Sequence, residues 1–199
     1  MRRALAAVLA VLALTLAACG GSGGEAKFSG IEHAAYQVLP DPLTDTEGKP
    51  FSLATDASKP LTLVFFGYTH CPDICGMVMN NLASALTRLD TSDQAKVQVV
   101  FVTTDPSRDT PTVLRHYLDH YNPSFEGLTG PIDTIAAIAK PLAVYVAQGQ
   151  KLPSGGYDLN THSTQVTAIQ DHRSTVLWDM DTSPAQYASD IHALLQQAS

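Results

Sequence analysis

The chain has 199 residues and a formal charge of −7, with 45% hydrophobic and only 16% charged residues. That length fits one domain, perhaps with a tail, and the apolar content is too high for a disordered chain. The acidic balance excludes nucleic-acid binding through a general basic field.

Arg2 and Arg3 open the chain, and residues 4–18 are an unbroken stretch of Ala, Val and Leu with one Thr. The stretch is shorter than the ~20 residues a membrane-spanning helix needs and reads as a secretory signal peptide, residues 1–18. Leu16-Ala17-Ala18-Cys19, followed by Gly20, resembles the bacterial lipoprotein lipobox. That resemblance implies a diacylglyceryl group on the Cys19 thiol, with Cys19 as the new N-terminus. Two acyl chains, each methylene contributing ~0.8 kcal/mol, make a stable membrane anchor. Loss of residues 1–18 removes two Arg and no acid, leaving 10 Lys+Arg against 19 Asp+Glu, a charge of −9. Gly20-Gly21-Ser22-Gly23-Gly24 has linker composition. The lipidated linker is read as residues 19–30 and the folded body as 31–199.

Within the body, residues 36–39 and 51–53 flank an Asp45-Thr46-Glu47-Gly48 turn and read as an opening hairpin. Residues 61–66 form a near-continuous apolar run, as in a strand buried on both faces. Ile74, Val78, Leu82, Ala85, Leu86 and Leu89 share one face of a helix over 74–89. Residues 97–102 are a second buried strand. Thr110-Pro111 opens a helix to about His120, with Pro at a first-turn position. Residues 131–139 suggest a shorter helix, and 143–147, 164–169 and 175–178 are further strand candidates. Ser183-Pro184 has the same cap-then-Pro signature before a final helix over 184–197. This order of hairpin, βαβα, strands and helix describes an α/β layered domain.

Cys71 and Cys75 are the two thiols left once Cys19 is lipidated. They fall where the first buried strand gives way to a helix, in Phe66-Gly67-Tyr68-Thr69-His70-Cys71-Pro72-Asp73-Ile74-Cys75. A helix N-terminus offers free N–H groups and the positive end of the dipole, which favours thiolate. A separation of four is about one turn, so two sulfurs in the first turn share a face. Such a pair can close a disulfide or clamp one metal ion, and the C-x-x-x-C spacing leaves more room than C-x-x-C. Soft thiolates select Cu(I), with Zn(II) the usual competitor. Two cysteines exclude Cys₄ and Cys₃His zinc, but a converging histidine would give Cys₂His.

The same turn resembles the metal-binding turn of the Sco/SenC family of copper-handling proteins. Thr104-Asp105-Pro106-Ser107-Arg108-Asp109-Thr110-Pro111, Leu128-Thr129-Gly130 and Thr161-His162-Ser163 resemble further family segments, in order. The resemblance implies a thioredoxin-like fold: a central mixed sheet flanked by helices, here with an N-terminal hairpin. It also implies that Cys71, Cys75 and His162 bind one copper ion, Cu(I) or Cu(II). The implied protein is a copper chaperone, lipid-anchored through Cys19 on the outer face of the bacterial cytoplasmic membrane. Its client would be the dinuclear copper centre of the cytochrome c oxidase copper subunit. The alternative is an enzyme, a thiol–disulfide oxidoreductase using a Cys71–Cys75 redox disulfide to reduce the copper-ligand cysteines of that subunit. The sequence departs from the family at Gly76, commonly Pro, so Cys75 is expected to be held less firmly.

Other residues read as less chemical. His70 neighbours Cys71 but diverges from it and reads as local tuning or solvent contact. His116 and His120 have i, i+4 metal-ligand spacing, but Tyr117 follows His116 where a zincin has Glu, and the pair reads as a solvated helix face. Met77 and Met79 could offer thioether, yet Met77 reads as packing. Asp105 and Asp109 read as turn and cap residues.

Overall fold

The computed structural model describes residues 28–146 and 163–197. Cys19 and His162 lie outside the described residues. So do the proposed leader and nearly all of the linker.

Among the described residues, fourteen short and long elements follow in chain order. Strand β1 is Ile31–Gln37, β2 Leu43–Thr44, β3 Pro50–Phe51 and β4 Leu61–Gly67. Helix α1 is Ile74–Arg88 and α2 the short Thr91–Gln94, followed by strand β5, Val97–Thr103. Helix α3 is Pro111–Asp119, β6 is Glu126–Leu128 and α4 is Ile132–Ala139, running into a 3₁₀ turn at Lys140–Leu142. Strands β7, Val166–Gln170, and β8, Arg173–Trp178, precede α5, Pro184–Gln197.

Six strands form one mixed sheet in the order β1-β8-β7-β4-β5-β6. The β4–β5 and β5–β6 pairs are parallel, and the β4–β7, β7–β8 and β1–β8 pairs are antiparallel. Strand alternation sends side chains to two cores. Leu61, Leu63, Phe65, Val97, Val99 and Phe101 pack under α1, α3 and α5. Val64, Phe66, Val100, Val102 and Leu128 pack on the other face against Ile135 and Ile138 of α4. The expected central mixed sheet with helices on both faces is therefore present, and β4 is buried along its whole length, as its apolar run requires.

The helix signals in the sequence correspond to real caps. The Thr110 hydroxyl accepts the Val113 N–H, and Pro111 occupies the first turn. Ser183 and Gln186 form a reciprocal box: the Gln186 N–H reaches the Ser183 hydroxyl, and the Ser183 N–H reaches Gln186 Oε1 at 2.9 Å.

Two expectations need correction, and one strand was not anticipated. The hairpin is made by Leu43–Thr44 and Pro50–Phe51, whereas residues 36 and 37 end β1, which joins the main sheet beside β8. Of the strand expected over 143–147, residues 143–145 are irregular, the chain leaving the 3₁₀ turn through Ala143 in the left-handed region (φ 56°), and Val146 makes only an isolated bridge; residue 147 lies outside the described residues. Glu126–Leu128 is a strand that the sequence reading passed over, too short to show a period.

Candidate metal centre

The site is built where β4 ends. Gly67 closes the strand, and its carbonyl accepts the Thr104 N–H at 2.6 Å, tying the ends of β4 and β5 together. A Cβ on Gly67 would stand 2.8 Å from the Phe65 ring, 3.0 Å from Cys75 Sγ and 3.1 Å from the Phe101 ring. The missing side chain is the space that the Cys75 sulfur uses.

The chain then turns, with the Cys71 N–H bonded to the Tyr68 carbonyl at 3.2 Å. Cys71 stays outside α1, and Cys75 is the second residue of that helix. The Cys71 sulfur still faces the backbone of Cys75, whose N–H donates to Cys71 Sγ at 3.4 Å. Asp73, the residue before α1, makes no side-chain cap bond. The Cys71 sulfur thus takes up one of the helix's orphan amides, the task an N-cap oxygen usually performs.

Burial divides the pair. Cys71 is half-buried, and Cys75 is fully buried among the Phe65 and Phe101 side of the core. Both are thiols in this structure. The Cys75 thiol is pushed well up from its ordinary value, first by its hydrogen bond with Cys71 and then by burial. Tyr68 is pushed up to about 12 by burial, by the neighbouring charges of Cys71 and Cys75 and by a hydrogen bond with Cys71, while Arg108 pulls the other way. Tyr117 is also raised, by burial first and then by its hydrogen bond with Tyr121. Tyr117 and Tyr121 pack against the core cluster that holds Cys75, and Tyr68 lies beside both sulfurs.

Beside Gly76, Cys75 is fully buried, and a Cβ at position 76 would come within 3.3 Å of the Tyr121 hydroxyl.

Asp109 is the residue whose role the sequence did not reveal. It is fully buried, and its carboxylate accepts the Thr69 N–H at 3.0 Å, the Thr69 hydroxyl at 2.6 Å and the Thr103 hydroxyl at 2.7 Å. It pins the cysteine turn to the end of β5. The Asp-Pro-Ser-Arg-Asp-Thr-Pro motif was visible, but nothing in it points to a partner 40 residues away. Asp105 has the expected turn role: it accepts from Ser107 at 2.6 Å and pairs with Arg108. His70 is exposed, with Nδ1 3.0 Å from the Thr69 hydroxyl, which fits local tuning. Met79 is fully buried and Met77 is 39% exposed, so their expected packing roles are reversed.

Two soft sulfurs on one side of a helix start suit a thiophilic ion or a disulfide. Among the described residues, no cluster of three or more His, Cys, Asp and Glu residues able to hold a metal ion is found.

The SCO1/SenC family profile matches residues 34–196. The chain belongs to the SCO1/SenC family. It is 41% identical over 103 residues to Protein SCO2, mitochondrial, of Saccharomyces cerevisiae, a match covering 52% of this chain and 34% of that protein. It spans about a third to a half of the length of the first curated relatives it matches. Its fold is similar to that of apo Sco1 from Thermus thermophilus, with TM-score 0.75, 29% identity, and 86% of this chain and 99% of the other covered. It is also similar to Bradyrhizobium japonicum ScoI, solved with copper bound, with TM-score 0.69, 31% identity, and 79% and 99% covered. The fold is the thioredoxin-like one of Sco structures.

Proposed function

We propose that this SCO1/SenC protein is a membrane-tethered copper chaperone. Copper is its cargo, held by Cys71, Cys75 and His162 and delivered to the dinuclear copper centre of cytochrome c oxidase. The observation that carries the reading is the pairing of two thiols across the start of α1, joined by the Cys75 N–H to Cys71 Sγ contact. Family membership supports copper as the ion, and a relative of the same fold was solved with copper bound.

Topology supports His162 as the third ligand. Strand β7 runs antiparallel to β4, and Val166 faces Phe65 across the pair. The chain therefore enters β7 at the end of the sheet where β4 leaves for Cys71. Ser163, the next residue after His162, is anchored there by its N–H to the Tyr145 carbonyl at 2.9 Å, and its hydroxyl accepts the Tyr145 N–H at 3.0 Å.

Delivery would proceed by ligand exchange. Copper displaces the protons of the two thiols on loading, and incoming thiolates and imidazoles of the client replace its ligands one at a time. Half-buried Cys71 is the sulfur a client reaches first. Lipid on Cys19 would hold the domain at the outer face of the cytoplasmic membrane.

The division of burial also favours a second reading, a thiol–disulfide oxidoreductase. The Cys71 thiolate would attack a client disulfide, forming a mixed disulfide and expelling one client thiolate. Cys75 would then attack the Cys71 sulfur, closing the Cys71–Cys75 disulfide and releasing the second client thiolate. The client gains two electrons that this pair loses. This route does not need His162.

The two readings separate in cells lacking the chromosomal copy. Under the chaperone reading, His162→Ala and Cys71→Ser both lose oxidase assembly. Assembly intact in His162→Ala but lost in Cys71→Ser selects the oxidoreductase. Assembly that survives loss of both cysteines overturns both readings.

A further inference from the structure

The outer face of α3 carries two exposed imidazoles, and their geometry differs from that of a merely solvated face. His116 lies within α3, and His120 follows it with helical dihedrals (φ −69°, ψ −24°), so the two share one side of the last turn. Their rings meet edge to face, with centroids 5.7 Å apart.

His120 Nδ1 lies 2.7 Å from the His116 carbonyl. A carbonyl oxygen can only accept, so Nδ1 carries the hydrogen. In the neutral ring, Nε2 then holds the free lone pair. A backbone carbonyl fixing one ring nitrogen so that the other can ligate is the usual outer-shell arrangement of metal-bound histidine.

The surroundings are suitable. The pair sits at the C-terminal end of the helix, where the macrodipole favours cations. The neighbouring carboxylate of Asp119 is engaged by Arg115 Nε at 2.9 Å, so the imidazoles are not tied up by it. On the inner face of the same helix and just beyond it, Tyr117 and Tyr121 pack against the core cluster that holds Cys75.

We propose that His116 and His120 form a second metal site, a two-imidazole chelate for a divalent transition-metal ion, Cu(II) foremost. Water completes the coordination. Imidazole nitrogen with no thiolate suits Cu(II), as two thiolates suit Cu(I), and Cu(II) heads the divalent affinity order.

The test uses the full chain in detergent with Cys71→Ser and Cys75→Ser, which removes the thiols. Cu(II) is titrated against a competing chelator and followed by electron paramagnetic resonance, with paramagnetic broadening of amide signals read in parallel. The expected result is a nitrogen-coordinated Cu(II) that broadens residues 116–120 first. Adding either His116→Ala or His120→Gln should weaken binding by no less than the roughly tenfold typical of losing an outer-shell partner. Both residues are exposed, so neither change threatens folding. Affinity within about twofold in both variants, broadening centred elsewhere, or no Cu(II) bound would each overturn the proposal.

Discussion

Replacing Asp109 with alanine removes the carboxylate that joins the cysteine turn to the sheet. Three donors lose their acceptor: the Thr69 N–H, the Thr69 hydroxyl and the Thr103 hydroxyl. Thr103 is fully buried, so its hydroxyl cannot turn to water. One buried donor left without an acceptor costs about 1–3 kcal/mol. The two Thr69 groups are only partly buried and recover part of their loss from solvent. Removing a desolvated charge returns some free energy. The balance is a loss of about 2–4 kcal/mol, a large share of the ~5–15 kcal/mol typical of a domain. Asp109→Asn keeps the size and one carbonyl acceptor, and should lose about half as much. Urea unfolding measures both, read through Trp178, the single tryptophan, which is fully buried. A loss in Asp109→Ala below about 0.5 kcal/mol, the range of ordinary surface changes, refutes the reasoning.

Gly67→Ala would force a Cβ against the Phe65 ring and Cys75 Sγ. Overpacking of this kind costs about 1–3 kcal/mol, and urea unfolding together with a slower reaction of Cys75 than of Cys71 towards a thiol reagent in the parent protein, disturbed in the variant, would show it. Asp190→Ala would leave the Trp178 indole N–H and the Ser29 and Gly30 amides without their shared acceptor. Proteolysis near residue 28 should become faster, and unchanged cleavage would count against that anchor. Tyr187 is raised above its ordinary value near 10, by burial first and by Asp179 second. The unfolded chain releases this proton at lower pH than the folded one, so its contribution is complete below about pH 10 and is lost as pH rises further. Tyr187→Phe should therefore show a smaller fall in Tm between pH 9 and 11, and an equal fall would contradict the sign.

Much of this fold could be read from residues. Strands β4 and β5 announced themselves as apolar runs because both faces are buried, and Thr110 and Ser183 marked helix starts through hydroxyls that do cap. Residues 143–146 misled because Val144 and Val146 serve the second core from a largely irregular backbone, while Ala143 and Tyr145 are exposed. Position 36 misled in another way: it is half of a pairing with Ser174, and sequence spacing contains no such partner. The site was legible to the same degree. The thiols were evident from type and position, and the helix start gave their setting. The Asp109 carboxylate and the Tyr117–Tyr121 wall join segments tens of residues apart, which local pattern does not encode, and the Gly67 space shows only once Cys75 and Phe101 are packed around it.

Copper binding tests the central claim most directly. The full chain, reduced and anaerobic in detergent, is titrated with Cu(I) against a competing ligand, and its absorption is recorded after addition of Cu(II). The account predicts one Cu(I) per chain and a thiolate-to-copper charge-transfer band, both abolished by Cys71→Ser and weakened by His162→Ala. Cu(I) binding no stronger than that of the Cys71→Ser/Cys75→Ser protein, with no charge-transfer band, would contradict it.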